Sequence, residues 1–102
     1  MNPKIGARFR SVVCDTEVIV VRPIAEDVDL RCGGHPMIGM DDAPSLGAAL
    51  DPEFAGGTAL GKRYVDLTCG LELLCTKPGK GTLSVSTEPL TVKDAKPLPS
   101  SD

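Results

Sequence analysis

The sequence predicts a mainly β protein in which two similar halves pack about an approximate two-fold axis into one domain, with a short helical insertion between them. Two observations lead there. The stretch CDTEVIVVRP at residues 14–23 returns as CGLELLCTKP at residues 69–78. In both, a Glu follows the Cys by three residues (Glu17, Glu72), and a base–Pro pair begins eight residues after it (Arg22-Pro23, Lys77-Pro78). Downstream, Leu30 and Leu83 each precede a Pro by six residues (Pro36, Pro89), and an apolar residue closes each copy (Met37, Leu90). Only the stretch between differs, seven residues from Pro23 to Leu30 against five from Pro78 to Leu83, a change that a hairpin loop tolerates. The second observation is size. A unit of about thirty residues cannot bury an adequate core alone, whereas 102 residues with 41% hydrophobic content support one modest core. The chain then divides into a repeat at 7–37, an acidic linker or lid at 38–60, a second repeat at 61–90 and a flexible tail at 91–102.

Each element follows from local chemistry. Residues 8–21 are β-branched and free of Gly, which favours strand, with a tight turn at Cys14-Asp15. Pro23 ends the second strand because it has no N–H for a ladder. Glu26, Asp27 and Asp29 mark a solvated loop, residues 28–32 return as a strand, and Gly33-Gly34 permits backbone that other residues avoid. In the second copy 63–67 leads in, 71–76 is the central strand, PGKG is the loop and 82–86 returns. The register equates Cys75 with Val20, Leu73 with Val18 and Leu74 with Ile19. Between the copies, residues 38–60 hold four acids and no base. Asp42 or Ser45 is placed to cap a short helix through Leu50, and Asp51-Pro52-Glu53 to start another, which Gly56-Gly57 ends.

Composition excludes some functions. With a net charge of −3 and three aromatic residues, no basic stripe runs beside stacking rings, so nucleic acid is not an expected partner. No apolar run approaches the roughly 18 residues of a membrane span. The first ten residues, MNPKIGARFR, lack the apolar stretch of a secretory leader, so the expected compartment is the cytoplasm. Four cysteines in that setting point to metal or redox chemistry before structural disulfides.

The repeat unit runs aromatic, strand, Cys-containing knuckle, strand, Gly-rich hairpin, Leu, second knuckle, Pro, apolar. It resembles desulforedoxin and the desulforedoxin-like N-terminal domain of desulfoferrodoxins, most closely in residues 64–90 and in LRCGGHPM of the first copy. In that family a Cys-x-x-Cys-Gly knuckle and a later Cys-Cys-Gly knuckle hold one iron through four thiolates. The resemblance places Cys14 and Cys69 on the second cysteine of the first knuckle, and Ser11 and Asp66 on its first. Cys32, with Arg31 before it, falls on the second cysteine of the later knuckle, a pair that becomes Val85-Ser86 in the second copy. Eight ligand positions thus retain three thiols, so the iron site does not carry over, while the resemblance still implies the fold. The family's dimer implies how: two copies on one chain supply the shared core that a metal otherwise provides.

Cys14 and Cys32 are expected to lie close, with His35 following as Cys-x-x-His. Three readings stay open: one zinc ion on Cys14, Cys32 and His35 with Ser11 or water as the fourth ligand, a redox-active thiol pair, or two inert buried thiols. Cys75, matching Val20, is expected in the core. Glu17 and Glu72 are expected to be structural. No nucleophile–base–orienter set is present, so an enzyme is not expected. Leu46, Leu50 and Phe54, set among Asp41, Asp42, Asp51 and Glu53, either pack as a lid or form a docking surface for a partner. The function expected is a small non-enzymatic accessory or partner-binding protein, such as an enzyme subunit, without a cofactor; self-association stays open. The alternative is a zinc-binding or thiol-redox protein using Cys14, Cys32 and His35.

Overall fold

A computed structural model describes residues 4–24, 27–42 and 49–93. Its strands are β1 (Arg8–Arg10), β2 (Glu17–Arg22), β3 (Leu30–Cys32), β4 (His35–Pro36), β5 (Ile38–Gly39), β6 (Arg63–Val65), β7 (Glu72–Lys77), β8 (Leu83–Val85), β9 (Glu88–Pro89) and β10 (Thr91–Lys93). They form two antiparallel sheets in a mainly β single domain, one of order β10-β6-β7-β2-β1-β5 and one of order β4-β3-β8-β9. Both orders are palindromic: exchanging each strand for its counterpart in the other half (β1 with β6, β2 with β7, and so on to β5 with β10) reverses each list. The registers share that symmetry. In the large sheet Ile19 faces Leu74, with Val18↔Cys75 on one side and Val20↔Leu73 on the other. In the small sheet Arg31 faces Ser84, flanked by Leu30↔Val85 and Cys32↔Leu83. The approximate axis passes through these two central pairs.

Alternation along the strands builds the core. Val18 and Val20 of β2 and Leu73 and Cys75 of β7 turn inward, while Ile19 and Leu74 stay half-buried on the outer face. Against them lie Leu30, Cys32 and Leu83 from the small sheet, closed by Met37, Leu71, Leu90 and Tyr64. Burial of each such Leu or Val is worth about 1.5–3 kcal/mol. Cys75 fills the place that its register with Val20 predicts, and its thiol donates to the Lys77 carbonyl at 3.1 Å.

The repeated Glu and base have a physical reason. Antiparallel pairing of β2 with β7 sets Glu17 opposite Lys77 and Arg22 opposite Glu72. The acid that opens each central strand is therefore opposite, in register, the base that closes the other. Glu17 and Lys77 approach to 4.0 Å. Glu72 is more buried and is bracketed by Lys93 at 3.1 Å and Arg63 at 3.6 Å. Both acids are held in ion pairs.

The structure shifts several expected boundaries. The strands of each half continue past 37 and 90, because β5 pairs with the exposed edge of β1 and β10 with that of β6. The first residues of the expected tail, Thr91–Lys93, are thus a sheet edge; residues 94–102 lie outside the described ones. Among the described residues of the insertion the helical element is a 3-10 turn, Pro52–Phe54, where the Asp51 side chain accepts from Glu53 N and Pro52 supplies the fixed φ of a first turn. Asp42 accepts from Gly39 N at 3.0 Å, and the helix that Asp42 or Ser45 is expected to cap lies outside the described residues. Ser45 and Leu46 lie outside the described residues. No helix among the described residues is long and apolar enough to cross a membrane.

Candidate functional site: a buried thiol pair

Two equivalent knuckles join β1 to β2 and β6 to β7. In the first, Ser11 N donates to Thr16 O at 2.9 Å, and Ser11 Oγ accepts from Val13 N and Cys14 N at 3.1 and 3.2 Å. In the second, Asp66 N donates to Leu71 O at 2.9 Å, and Asp66 Oδ1 accepts from Thr68 N and Cys69 N at 2.7 and 3.2 Å. A side-chain oxygen gathers the loop amides in both. Gly70 closes the second knuckle at φ 83°, a conformation that favours Gly.

The first knuckle carries the candidate site. It brings Cys14 to the end of β3, where Cys32 is fully buried, and the two sulfurs stand 3.8 Å apart. Cys14 is half-buried, with its Sγ 3.2 Å from the hydroxyl of the fully buried Thr16. From the other half, the loop between β7 and β8 closes over both sulfurs. Gly81 N donates to Cys14 Sγ at 3.4 Å. There is no room for side chains here: a Cβ on Gly79 would strike Thr16 and lie 3.0 Å from Cys14 Sγ, and one on Gly81 would lie 2.9 Å from Cys32 Sγ.

The two thiols have opposite acidities. Burial pushes Cys14 up, but the hydroxyl of Ser11, the hydroxyl and amide of Thr16 and the amide of Gly81 more than offset it, so its pKa falls from 9.0 to about 7. Burial, and then the charge of a neighbouring Cys14 thiolate, push Cys32 up to about 12. A half-exposed thiol that ionises near neutrality thus touches a buried one that holds its proton.

Residues 49–58 strap this site down. Asp51 N donates to Gly33 O at 3.0 Å, Thr82 N to Phe54 O at 2.7 Å and Gly56 N to Thr82 Oγ1 at 2.7 Å. Thr58 and Gly79 exchange both backbone bonds, and Thr58 Oγ1 donates to Gly81 O at 2.6 Å. Leu50 points a methyl into the space above Gly33, beside Val13.

The expected site residues therefore separate. Cys14 and Cys32 meet. His35 is engaged elsewhere, its Nε2 donating to Ala49 O at 2.7 Å at the root of the strap. Among the described residues no group of three or more His, Cys, Asp or Glu side chains is placed to hold a metal ion. Leu50 and Phe54 are both half-buried, Leu50 with a methyl over Gly33, and Leu46 lies outside the described residues. The second knuckle leaves Cys69 exposed at the mouth of an open cleft of about 270 Å³ with Asp27, Asp29, Asp66 and Glu88. The register makes Val85 the counterpart of Cys32, so the matching pair is Ser84-Val85 and not Val85-Ser86. Sequence reasoning missed Thr16 and the two loop glycines. The available clue was Thr16 standing where the second copy has Leu71, a hydroxyl in one half against an alkyl chain in the other.

Compared with protein-family models, curated proteins and solved structures, the chain matches none of them.

Proposed function

We propose that the protein is a thiol–disulfide exchange protein whose working pair is Cys14 and Cys32. The observation that carries this is the 3.8 Å contact between a half-exposed and a fully buried sulfur. A disulfide bond is about 2.05 Å long, so closing the pair takes under about 2 Å of movement. The Cys14 thiolate attacks a disulfide of a small molecule or a protein, displacing one thiolate and forming a mixed disulfide. Cys32 then attacks Cys14 Sγ, the second thiol departs, and the chain is left oxidised by two electrons while the substrate disulfide is reduced to two thiols. The low pKa of Cys14 supplies the attacking thiolate near neutrality.

This reading ranks above the accessory role suggested by the lost iron ligands, since Leu50, one of the residues for docking, packs against Gly33 and Val13. It also ranks above a zinc site, since His35 bonds to Ala49 O. Descent from a desulforedoxin-like unit by duplication is part of the same proposal: the symmetric registers support it, and the retained thiols are those the lost metal would have bound.

Equilibration in glutathione buffers of graded potential, followed by alkylation and intact mass measurement, tests it. Oxidation should remove two hydrogens per chain and protect Cys14 and Cys32 together. The variant Cys32→Ser should stall as a glutathione adduct on Cys14. Loss of the idea would follow from a pair that stays reduced at every potential, or from adducts confined to Cys69.

A further inference from the structure

Exchange at a buried pair raises a problem of protons. When Cys32 attacks Cys14, it must lose the proton that burial makes it hold, and its sulfur has no exposed surface. Two hydroxyls neighbour the Cys32 sulfur, those of Thr16 and Ser11, and that of Thr16 bonds no backbone group among the described residues. Thr16 is fully buried, and its hydroxyl oxygen accepts from the Cys14 thiol at 3.2 Å. A buried hydroxyl is costly unless it has a partner, and Leu71 at the equivalent position of the second half shows that an alkyl side chain suits the fold there. The half that keeps the hydroxyl is the half that keeps both thiols. Ser11 is differently placed, since its oxygen already accepts from two amides of the knuckle.

We propose that the Thr16 hydroxyl is the proton shuttle of the exchange reaction between Cys14 and Cys32, an inference that rests on the redox reading above. In the first step Thr16 O–H donates to the Cys14 thiolate and holds it toward the incoming disulfide. In the second, the Cys32 sulfur forms its bond to Cys14 Sγ while the bond from Cys14 to the substrate sulfur breaks, and the electron pair leaves with the substrate. The Cys32 proton passes to Thr16 Oγ1, which gives its own proton to the departing thiolate. One S–S bond forms, one breaks, and the proton ends on the released thiol without entry of water.

Glutathione disulfide separates the steps, because its departing alkyl thiol takes up a proton at neutral pH and mass measurement of acid-quenched samples counts the first and the second glutathione released. Cys69 is exposed and reacts independently, so the experiment uses the full chain carrying Cys69→Ser. With Thr16→Val the second release should slow about tenfold or more at neutral pH, the scale of a hydrogen bond to a charged group. Its pH profile should move to the alkaline side, and Thr16→Ser should restore both rate and profile. A folded Thr16→Val protein with an unchanged second release overturns the shuttle; if Val does not fold, Thr16→Ala serves the same comparison. If the parent itself shows no second release, the exchange reading fails, and the shuttle with it, a result distinct from a parent that completes both steps without needing Thr16.

Discussion

At the scale of single residues, Cys14 and Cys75 show how position decides what a thiol does. Cys14 ionises at about 7 in the fold against 9.0 ordinarily. Its pKa is depressed, so the associated stability is fully present above pH 9 and is lost as pH falls through about 7. Iodoacetamide labelling of Cys14 should therefore reach half its limiting rate near pH 7, with Cys32 unlabelled until strongly alkaline pH. Denaturant midpoints should rise between pH 7 and 9, and that rise should vanish in Cys14→Ser. Cys75 is the contrasting case: burial pushes its thiol up, and it behaves as a small core residue. Cys75→Val should change stability by less than about 1.5 kcal/mol, since it nearly conserves volume. Cys75→Asp should abolish the cooperative unfolding transition, because it buries a charge with no partner.

At the scale of elements, the loop between β7 and β8 is the roof of a site that belongs to the other half. Gly81→Ala places a methyl 2.8 Å from Gly33 N and 2.9 Å from Cys32 Sγ, which should cost about 1–3 kcal/mol in urea unfolding and raise the rate of Cys32 labelling. Gly61→Ala meets open space and carries only the penalty of its φ of 78°, about 1 kcal/mol, with no change in labelling. These elements also show what could be read from the chain in advance. The central strands and the equivalence of Cys75 with Val20 follow from aligning one copy on the other, because β-branched runs and repeated positions are local information, whereas the meeting of Cys14 with Cys32 is implied by the resemblance to a desulforedoxin-like unit. The roof does not follow from the alignment, since which hairpin covers which knuckle depends on β2 pairing with β7 across some fifty residues of chain. Nor does the seating of a Leu50 methyl over Gly33: an apolar residue among acids serves equally as a lid or as a surface until Gly33 leaves a space for it. Thr16 stayed hidden because a Thr leading into a strand is unremarkable until its sulfur neighbour is known.

At the scale of the whole molecule, neither half owns a complete sheet. β2 needs β7, β3 needs β8, and the thiol pair of one half is roofed by the loop of the other. Peptides comprising residues 1–42 and 49–102 should each be unfolded alone and regain sheet structure on equimolar mixing, measured by circular dichroism. Cys14 labelling should take on its low pKa only in the mixture, because the Ser11 and Thr16 bonds that lower it need the folded knuckle and the Gly81 amide lies on the second peptide. Retained structure and acidity in the first peptide alone would show that the halves are independent.

The palindromic strand order has one more consequence, for how many chains make one fold. A register that reads the same from either end can be completed by a neighbour's half as well as by the chain's own, and only the connection between the halves enforces closure on itself. Deleting residues 43–48 should shorten that connection enough to favour reciprocal exchange, giving a dimer by sedimentation that assembles two copies of the monomer fold. In such a dimer each Cys14–Cys32 pair would stay within one chain while its roof arrived from the partner, so the chemistry of the thiols would become sensitive to protein concentration.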